Sequence, residues 1–263
     1  MELGIKNKSV LVSAGSKGLG KAAAKTFAFE GCKVAICGRN KENLNETAKE
    51  IGEETQSEIL DIVCDLTDGE AICQMFKKIE STFGGVEIMV INAGGPPVIP
   101  LEELTDDHWQ EAYQLTHLSA VRMVRSALPN MRKKNWGRII AIESSSVKQP
   151  VAGLHLSNGI RAGVSGFFKS IVDDLAKNNI TINTVLPGVY LTDRILNNQR
   201  LVAEKTGTTL DERLEILKNN IPMGRFGNPE ELADMIAFIA SERAGYVTGS
   251  VIQVDGGLIR SIV

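Results

Sequence analysis

Short runs rich in β-branched and other apolar residues recur along the 263-residue chain, with longer amphipathic stretches between them. The runs are residues 9–13, 33–37, 59–63, 87–91, 138–142, 181–186 and 251–254. This alternation predicts an α/β fold: a parallel, doubly wound sheet of seven strands with helices on both faces. Because 43% of the residues are hydrophobic, the chain can fill one large core, so we expect a single domain over residues 1–263.

Composition limits the partners. The formal net charge of −3 provides no broad positive surface for nucleic acid or anionic lipid. The basic cluster 132–134 lies where a long helix is expected to end, and it is interpreted as a favourable partner of the helix dipole. No apolar run reaches the roughly 20 residues that span a membrane. The four cysteines form no CxxC pair and no ligand cluster with histidines, so we expect no metal site and a cytoplasmic location.

The segment 189–222 is the least regular part of the sequence. It is long and charged, and Gly207 interrupts it. We interpret it as a helical lid over a binding site, and a solvated helical insertion is the alternative.

A glycine-rich turn follows the first strand directly. It reads Ser13-Ala14-Gly15-Ser16-Lys17-Gly18-Leu19-Gly20, and an alanine-rich helical run comes next. Glycines at a strand-to-helix turn let the backbone approach a pyrophosphate, and the helix N-terminus adds free N–H groups and a positive dipole. The turn therefore predicts a Rossmann-type dinucleotide-binding fold, with a plain tight turn as the alternative.

The end of the second strand bears on the choice of cofactor. Folds that prefer NAD usually carry an acidic residue about 20 residues past the glycines, where it binds the ribose hydroxyls. This chain has Gly38-Arg39-Asn40 there. Arg39 suits a 2′-phosphate, and Lys17 adds a second positive charge. The pattern favours NADP(H) over NAD(H), against the alternative that Arg39 simply extends into solvent.

With these motifs, the chain resembles the short-chain dehydrogenase/reductase family, and 3-oxoacyl-carrier-protein reductases within it, over almost its whole length. Segment 13–20 is similar to the TGxxxGxG turn of that family, with Ala14 in place of the first glycine. Further similar segments follow in the family's order: Cys64-Asp65-Leu66-Thr67, Ile91-Asn92-Ala93-Gly94, Leu186-Pro187-Gly188 with Thr192, and the C-terminal stretches 223–230 and 248–257.

The resemblance implies a set of cofactor-binding residues. Besides Arg39 they are Ser13, Gly15, Ser16, Lys17, Gly18, Leu19, Gly20, Asp65, Leu66, Asn92, Ala93, Gly94, Pro187, Gly188 and Thr192. Asp65 is expected near the adenine ring and Thr192 near the nicotinamide carboxamide.

The resemblance also implies a small-molecule substrate and assembly as a homodimer or homotetramer. The family assembles through two long helices, which are expected here over residues 106–134 and 152–178. The apolar residues of these helices could equally belong to the core.

The catalytic positions of the family are altered in this chain. The family uses a serine, a tyrosine thirteen residues later in a YxxxK motif, and an asparagine on the preceding long helix. Ser144 holds the serine position, but Ser157 replaces the tyrosine, Arg161 the lysine and Thr116 the asparagine. We take these four residues as the candidate catalytic set.

These replacements weaken the expected chemistry without removing it. Ser157 is a much weaker acid than tyrosine. Arg161 stays charged and cannot shuttle protons, yet its guanidinium can stabilise developing negative charge or hold a carboxylate. Loss of a positioned general acid typically lowers a rate by about 10² to 10⁴, so two functions remain open. One is an NADP(H)-dependent oxidoreductase with a non-standard active site, and the other is an inactive NADP(H)-binding sensor or assembly subunit.

Three side chains are candidates for a substitute acid. His155 lies two residues before Ser157, although a loop histidine facing water is the alternative. Tyr190 has a suitable hydroxyl, with packing of the lid as the alternative. Glu143 is expected on the opposite face of its strand from Ser144, which favours a structural role.

Overall fold

A computed structural model describes residues 2–262, in which the chain forms one seven-stranded sheet. All strand pairs are parallel, and the order across the sheet is β3-β2-β1-β4-β5-β6-β7. The strands are β1 (Ser9–Ser13), β2 (Lys33–Gly38), β3 (Ile59–Val63), β4 (Ile88–Ile91), β5 (Gly137–Ile142), β6 (Ile180–Pro187) and β7 (Val251–Val254). The predicted runs agree with these strands to within one residue at each end.

Helices connect the strands throughout the described residues. They are α1 (Gly18–Phe29), α2 (Lys41–Thr55), α3 (Gly69–Phe83), α4 (Asp106–Ala112), α5 (Ser119–Lys134), α6 (His155–Ser170), α7 (Val172–Ala176), α8 (Asp193–Thr206), α9 (Leu210–Asn219) and α10 (Pro229–Ile239). Within residues 2–262, no helix combines the length and apolar character needed to cross a membrane.

The sheet is buried on both faces. Alternate residues of β1 point in opposite directions: Val10 and Val12 pack with α1, α2 and α10, whereas Leu11 packs on the other face with α3, α5 and α6. A strand covered on both sides is apolar along most of its length, which explains the nearly continuous apolar runs in the sequence. The prediction of a doubly wound α/β fold is confirmed.

Local signals set the ends of α3. The Asp68 carboxylate accepts from the Glu70 amide at 2.8 Å and from the Ala71 amide at 3.3 Å, which satisfies donors at the start of the helix. Gly84 ends the helix in the left-handed conformation, with φ 78°, a conformation that glycine adopts without steric cost.

The first of the two expected long helices is interrupted. Residues Tyr113–Leu118 form a π-helical segment between α4 and α5. The Ser119 hydroxyl donates to the Leu115 carbonyl at 2.5 Å. A side chain therefore satisfies one of the backbone acceptors in this irregular stretch. The sequence predicted one helix over 106–134 because periodicity alone does not register one extra residue in a turn.

The second expected helix is shorter than predicted. Gly153 has φ 77°, which is incompatible with a helix, so α6 begins at His155 rather than at residue 152. The segment 189–222 contains α8 and α9, with Gly207 in the left-handed conformation between them. Movement of this segment as a lid stays a prediction.

Candidate functional site

The candidate site lies at the carboxyl ends of β1 and β4. Between these strands the strand order reverses direction, and such a switch point opens a crevice for a ligand. The Ser13 hydroxyl donates to the Asn92 carbonyl at 2.8 Å and accepts from the Asn92 amide at 2.9 Å. Because Ser13 is fully buried, its side chain joins the two strand ends instead of facing the crevice.

The glycine turn holds its backbone close to neighbouring chain segments. Ala14 has φ +45° and Gly18 has φ +53°, a left-handed conformation that only glycine adopts freely. A Cβ on Gly15 would lie 2.9 Å from the Val12 carbonyl oxygen, and a Cβ on Gly20 would overlap the Ala14 carbonyl. Side chains at these two positions would therefore displace the backbone that has to approach a phosphate.

The start of α1 is suited to an anion. Lys17, which precedes the helix, forms no capping hydrogen bond with its side chain, so the first N–H groups of α1 remain available together with the positive end of the dipole. Lys17 is exposed, and Leu19 packs partly against the core. The Thr47 hydroxyl of α2 donates to the Ser16 carbonyl at 2.8 Å and holds the turn in place.

A pocket beside the turn brings together residues predicted to bind the adenosine half of the cofactor. Arg39 is exposed at this pocket. The Thr67 amide and hydroxyl donate to one Asp65 carboxylate oxygen at 2.9 and 2.8 Å. These bonds, helped by the charge of Arg39, hold the pKa of Asp65 below its usual value. The pocket is lined by Ala14, Ser16, Gly38, Arg39, Asn40, Cys64, Asp65, Leu66, Gly94 and Leu115.

The chain returns to the glycine turn after β6, which ends at Pro187. A Cβ on Gly188 would lie 2.5 Å from Asp255 Cα, so this glycine allows two backbone segments to pass each other closely. A Cβ on Gly18 would be 3.3 Å from the Thr192 methyl group. The start of α8 therefore lies against the glycine turn.

The four candidate catalytic residues come from three parts of the fold. Ser144 follows β5 and accepts from the Ser146 amide at 3.2 Å. Ser157 and Arg161 are buried and lie one turn apart on the same face of α6. Thr116 lies in the π-helical segment that packs against α6, and its buried hydroxyl has no hydrogen-bond partner within residues 2–262.

Arg161 forms a buried ion pair with Glu143. The Glu143 Oε2 atom lies 2.8 Å from Arg161 Nη1, and both side chains are almost inaccessible to solvent. Burial raises the pKa of Glu143, and the charge and hydrogen bond of Arg161 oppose this effect. The sequence argument for Glu143 used the alternation of side chains along one strand. It therefore could not predict a contact between Glu143 and Arg161, which lies on a helix. The pair could have been suspected from the sequence, because an acid precedes Ser144 and an arginine stands where the family has its lysine.

The other two substitute acids differ in their surroundings. Tyr190 is buried and donates its hydroxyl to the Val254 carbonyl at 2.8 Å. Burial, aided by the negative charges of Glu231 and Asp255, raises the pKa of Tyr190 to about 12. This environment favours the packing role over acid catalysis. His155 is half-buried at the first position of α6.

Arg194, an exposed cation in the first turn of α8, was not among the residues predicted from the sequence. Its guanidinium lies over Gly95, where a Cβ would overlap it, and Nη2 donates toward the Pro96 carbonyl at 3.5 Å. Loss of solvent lowers the pKa of Arg194, and the charge of Arg161 lowers it further. The sequence did offer one indication, because a cation in the first turn of a helix is disfavoured by the helix dipole and is therefore unusual.

The described residues form no cluster of metal ligands, and three of the four cysteines are buried. Within residues 2–262, no group of three or more His, Cys, Asp or Glu side chains is arranged to hold a metal ion. Cys32, Cys37 and Cys64 are buried free thiols and Cys73 is an exposed one. Burial raises the pKa of Cys37, near the end of β2, to about 12, which disfavours the reactive thiolate form of this thiol.

Comparison with known sequences relates the whole chain to reductases. Residues 13–259 match the family described as Enoyl-(Acyl carrier protein) reductase. The chain is 31% identical over 258 residues to the 3-oxoacyl-[acyl-carrier-protein] reductase FabG of Aquifex aeolicus, covering 98% of this chain and 100% of that protein. It is 30% identical over 266 residues to the uncharacterized oxidoreductase YvrD of Bacillus subtilis, covering 100% of both.

Solved structures share the same fold over the full length. The L-sorbose reductase from Gluconobacter frateurii, complexed with NADPH and L-sorbose, has a TM-score of 0.95 at 31% identity and covers 100% of both chains. YwfH, an NADPH-dependent reductase involved in bacilysin biosynthesis, has a TM-score of 0.93 at 28% identity and covers 98% of this chain and 100% of its own. The chain therefore belongs to the short-chain dehydrogenase/reductase family of oxidoreductases.

Proposed function

We propose that this chain is an NADP(H)-dependent oxidoreductase that interconverts a carbonyl compound and an alcohol. It is similar to 3-oxoacyl reductases but has a different catalytic set. The observation that carries the proposal is the crevice at the β1–β4 switch point. The glycine turn and the Arg39 pocket lie on one side of this crevice, and Ser144 follows β5 on the other side.

The residues of this crevice fit NADP(H). The glycine turn and the start of α1 suit a pyrophosphate, and Lys17 with Arg39 suits a 2′-phosphate. A Cβ on Gly94, which lines the pocket, would meet nothing within 4 Å, so the backbone is open to a ligand at this point. The L-sorbose reductase is complexed with NADPH and YwfH is an NADPH-dependent reductase, which supports the same cofactor here.

The side chains of this chain can polarise a carbonyl. NADPH held in this crevice would supply a hydride to the carbonyl carbon, and the oxygen would take a proton from solvent water to complete the alcohol. Ser144 orients that oxygen by donating a hydrogen bond. Arg161 offers positive charge to the developing alkoxide, although Glu143 compensates part of that charge. Because no tyrosine–lysine pair supplies the proton, we expect a rate about 10² to 10⁴ lower than with a positioned acid.

The proposal is tested by following NADPH consumption with a panel of ketones and aldehydes, and NADP⁺ reduction with the matching alcohols. We expect measurable turnover. Ser144→Ala should lower kcat about 10²- to 10³-fold while leaving the Kd for NADPH unchanged. Absence of turnover in both directions across the panel, with NADPH bound, would contradict an oxidoreductase.

A second candidate function is a non-catalytic NADP(H)-binding subunit. The observation that favours it is the replacement of the tyrosine and lysine by Ser157 and Arg161. If this candidate is right, Ser157→Tyr combined with Arg161→Lys creates activity that the parent lacks. Parent turnover that Ser144→Ala abolishes eliminates the candidate.

We also propose a homodimer or homotetramer in the cytoplasm, on the basis of the family resemblance. The surfaces implied are those of α4 with α5 and of α6 with α7. Light scattering coupled to gel filtration should give twice or four times the mass of the chain, and a monomer at micromolar concentration would contradict the proposal.

A further inference from the structure

A second cavity, the base cavity, lies where the two ends of segment 189–222 meet the end of β7. Val189 and Tyr190 line it from the start of the segment, and Ile221 and Met223 line it from the other end. It shares no lining residue with the pocket beside the glycine turn. Its volume is about 140 Å³, close to the roughly 150 Å³ of an engineered apolar cavity that takes up benzene. One six-membered ring or one branched alkyl group therefore fits.

Backbone contacts join the walls of the base cavity. The Gly227 amide donates to the Val189 carbonyl at 3.0 Å, and the Met223 amide donates to the Gly256 carbonyl at 3.2 Å. The Tyr190 ring packs so closely on Gly227 that a Cβ there would overlap it. The walls are therefore in place before a ligand arrives, as is usual for small-molecule sites.

Most of the lining is apolar. Tyr190 and Ile221 are buried, Val189 and Val254 are half-buried, and Met223 is exposed. The Tyr190 hydroxyl donates to the Val254 carbonyl at 2.8 Å, so its oxygen keeps the capacity to accept a hydrogen bond. An apolar group that carries an N–H donor matches this lining.

The charged residues of the base cavity leave one negative charge over. Arg225 donates to both carboxylate oxygens of Glu231, at 2.8 and 2.6 Å, so these two charges neutralise each other. The Asp255 carboxylate accepts from the Gly257 and Ile259 amides, each at 2.9 Å. Within residues 2–262, no lysine, arginine or histidine forms an ion pair with Asp255. Asp255 therefore supplies the unbalanced charge.

This negative charge acts on the Tyr190 hydroxyl inside the base cavity. Burial raises the pKa of Tyr190 to about 12, and the charges of Glu231 and Asp255 contribute to the rise. The opposing effect of Arg225 is smaller than each of these. The electrostatic potential in this part of the cavity is therefore negative and attracts a cation.

We propose that the base cavity binds a small primary amine in its ammonium form, with one ring or branched alkyl group of about six carbons. The apolar group fills the space between Val189, Ile221 and Val254. The ammonium lies toward Asp255, whose carboxylate has lone pairs left for a charge-assisted hydrogen bond. This site is separate from the proposed cofactor crevice and does not depend on oxidoreductase activity.

The test compares three probes of similar size and different charge: benzylamine, benzyl alcohol and benzoate. Isothermal titration calorimetry of the full chain at neutral pH measures their Kd values. Benzylamine should bind at least about 10-fold more tightly than benzyl alcohol, and benzoate should bind most weakly, since the charge of the cavity favours a cation. Added salt should weaken benzylamine binding, because part of the attraction is screened.

Asp255→Asn keeps an acceptor for the backbone amides but removes the charge. It should weaken benzylamine binding about 10- to 100-fold, as expected for a lost charge-assisted hydrogen bond, and change benzyl alcohol binding less than about 3-fold. Asp234→Asn is the matched control, because Asp234 is an exposed acid of α10 that does not line the cavity. This control should leave the Kd of benzylamine unchanged.

A cavity-filling variant tests the location independently of charge. Val189→Phe occupies the space of the ligand ring and should abolish benzylamine binding, with circular dichroism showing that the variant folds. If that variant does not fold, the comparison of Asp255→Asn with Asp234→Asn still decides. The proposal is overturned if benzylamine shows no saturable binding up to about 10 mM, if benzyl alcohol or benzoate binds as tightly, or if Asp255→Asn leaves benzylamine binding unchanged.

Discussion

Arg39 is an exposed cation whose acidic neighbour, Asp65, already has other hydrogen-bond partners. It is exposed at the end of β2, and the nearby Asp65 carboxylate is already bonded to Thr67. The charge of Arg39 lowers the pKa of Asp65 only as a minor contribution behind those bonds. Arg39 can therefore turn toward a 2′-phosphate without leaving the Asp65 carboxylate unpaired.

We predict that Arg39→Ala weakens NADPH binding about 10- to 100-fold, because it removes a charge-assisted contact. Binding of NADH should change less than about 3-fold, since NADH lacks the 2′-phosphate. Lys33→Ala is the matched control, because Lys33 is an exposed cation at the opposite end of β2. Titration of protein fluorescence with both cofactors measures the effect, and equal losses for NADPH and NADH would contradict the assignment.

Ala14 adopts a conformation that costs free energy. Its φ of +45° is left-handed, and that region costs a residue with a Cβ roughly 1–2 kcal/mol. Glycine avoids this cost but loses about 0.4–1 kcal/mol through the greater freedom of the unfolded chain. The conformation explains why related turns carry glycine here.

We predict that Ala14→Gly raises the free energy of unfolding by up to about 1 kcal/mol. Ala22→Gly, in the interior of α1 with ordinary helical geometry, should instead lower it by about 1 kcal/mol. Urea unfolding of the two variants measures both changes. Destabilisation by Ala14→Gly comparable to that of Ala22→Gly would show that the left-handed strain is negligible.

At the scale of elements, a buried charge pair ties the end of β5 to α6. Glu143 follows the strand and Arg161 lies on the helix, with 2.8 Å between their charged atoms. Breaking a buried pair by removing one partner typically costs about 3–5 kcal/mol, whereas replacing both partners with apolar residues is often neutral. The pair thus fixes α6, and with it Ser157, relative to Ser144.

We predict that Arg161→Met lowers the free energy of unfolding by about 3–5 kcal/mol above pH 7. Glu143→Leu with Arg161→Met should recover most of this loss. Without Arg161, the pKa of the buried Glu143 carboxyl rises further. At low pH the variant therefore folds with this carboxyl in its neutral form. The loss should therefore be small below the unfolded pKa of about 4.3 and grow as the pH rises. Urea unfolding between pH 5 and 8 tests this, and a loss independent of pH would contradict the coupling.

The sequence predicted the elements more completely than the contacts between them. The strand positions follow from the apolar runs, and the turn before α1 follows from its glycines. The π-helical segment that contains the buried Thr116 could not be predicted from the sequence, because one extra residue in a turn leaves the apolar periodicity almost unchanged. The Glu143–Arg161 pair did not follow either, because it joins residues 18 positions apart on two elements.

At the scale of the whole molecule, the two ends of the sheet differ in role. The carboxyl ends of β1 and β4 form the crevice, whereas the amino end of β4 carries a cluster around Glu87. Lys8 and Lys134 lie 3.0 and 3.2 Å from the Glu87 carboxylate, and the Ser9 amide donates to it at 3.3 Å. Burial raises the pKa of Glu87, but these hydrogen bonds and charges outweigh burial and leave the pKa below its usual value.

We predict that Glu87→Gln destabilises the fold by about 1–3 kcal/mol at pH 7 and leaves the Kd for NADPH unchanged. Because the folded pKa of Glu87 is lowered, its stabilisation is present above the unfolded pKa and is lost as the pH falls through the folded pKa. The difference between wild type and variant should therefore shrink in acid. Glu80→Gln, at an exposed position of α3, is the control, and equal effects of the two variants in urea unfolding would refute the role of the cluster.

The sequence by itself determined the seven strands and the glycine turn, because apolar periodicity and glycine positions are local properties of the chain. The order of the strands across the sheet came from the tertiary structure. The sequence also identified Arg39 at the strand end where an acid is usual in NAD-preferring folds. Only the tertiary structure decided which charges meet. Arg161 forms an ion pair with Glu143, the Tyr190 hydroxyl donates a hydrogen bond to the Val254 carbonyl, and the Arg194 guanidinium lies over Gly95. Such contacts depend on how distant elements pack, which no local pattern encodes.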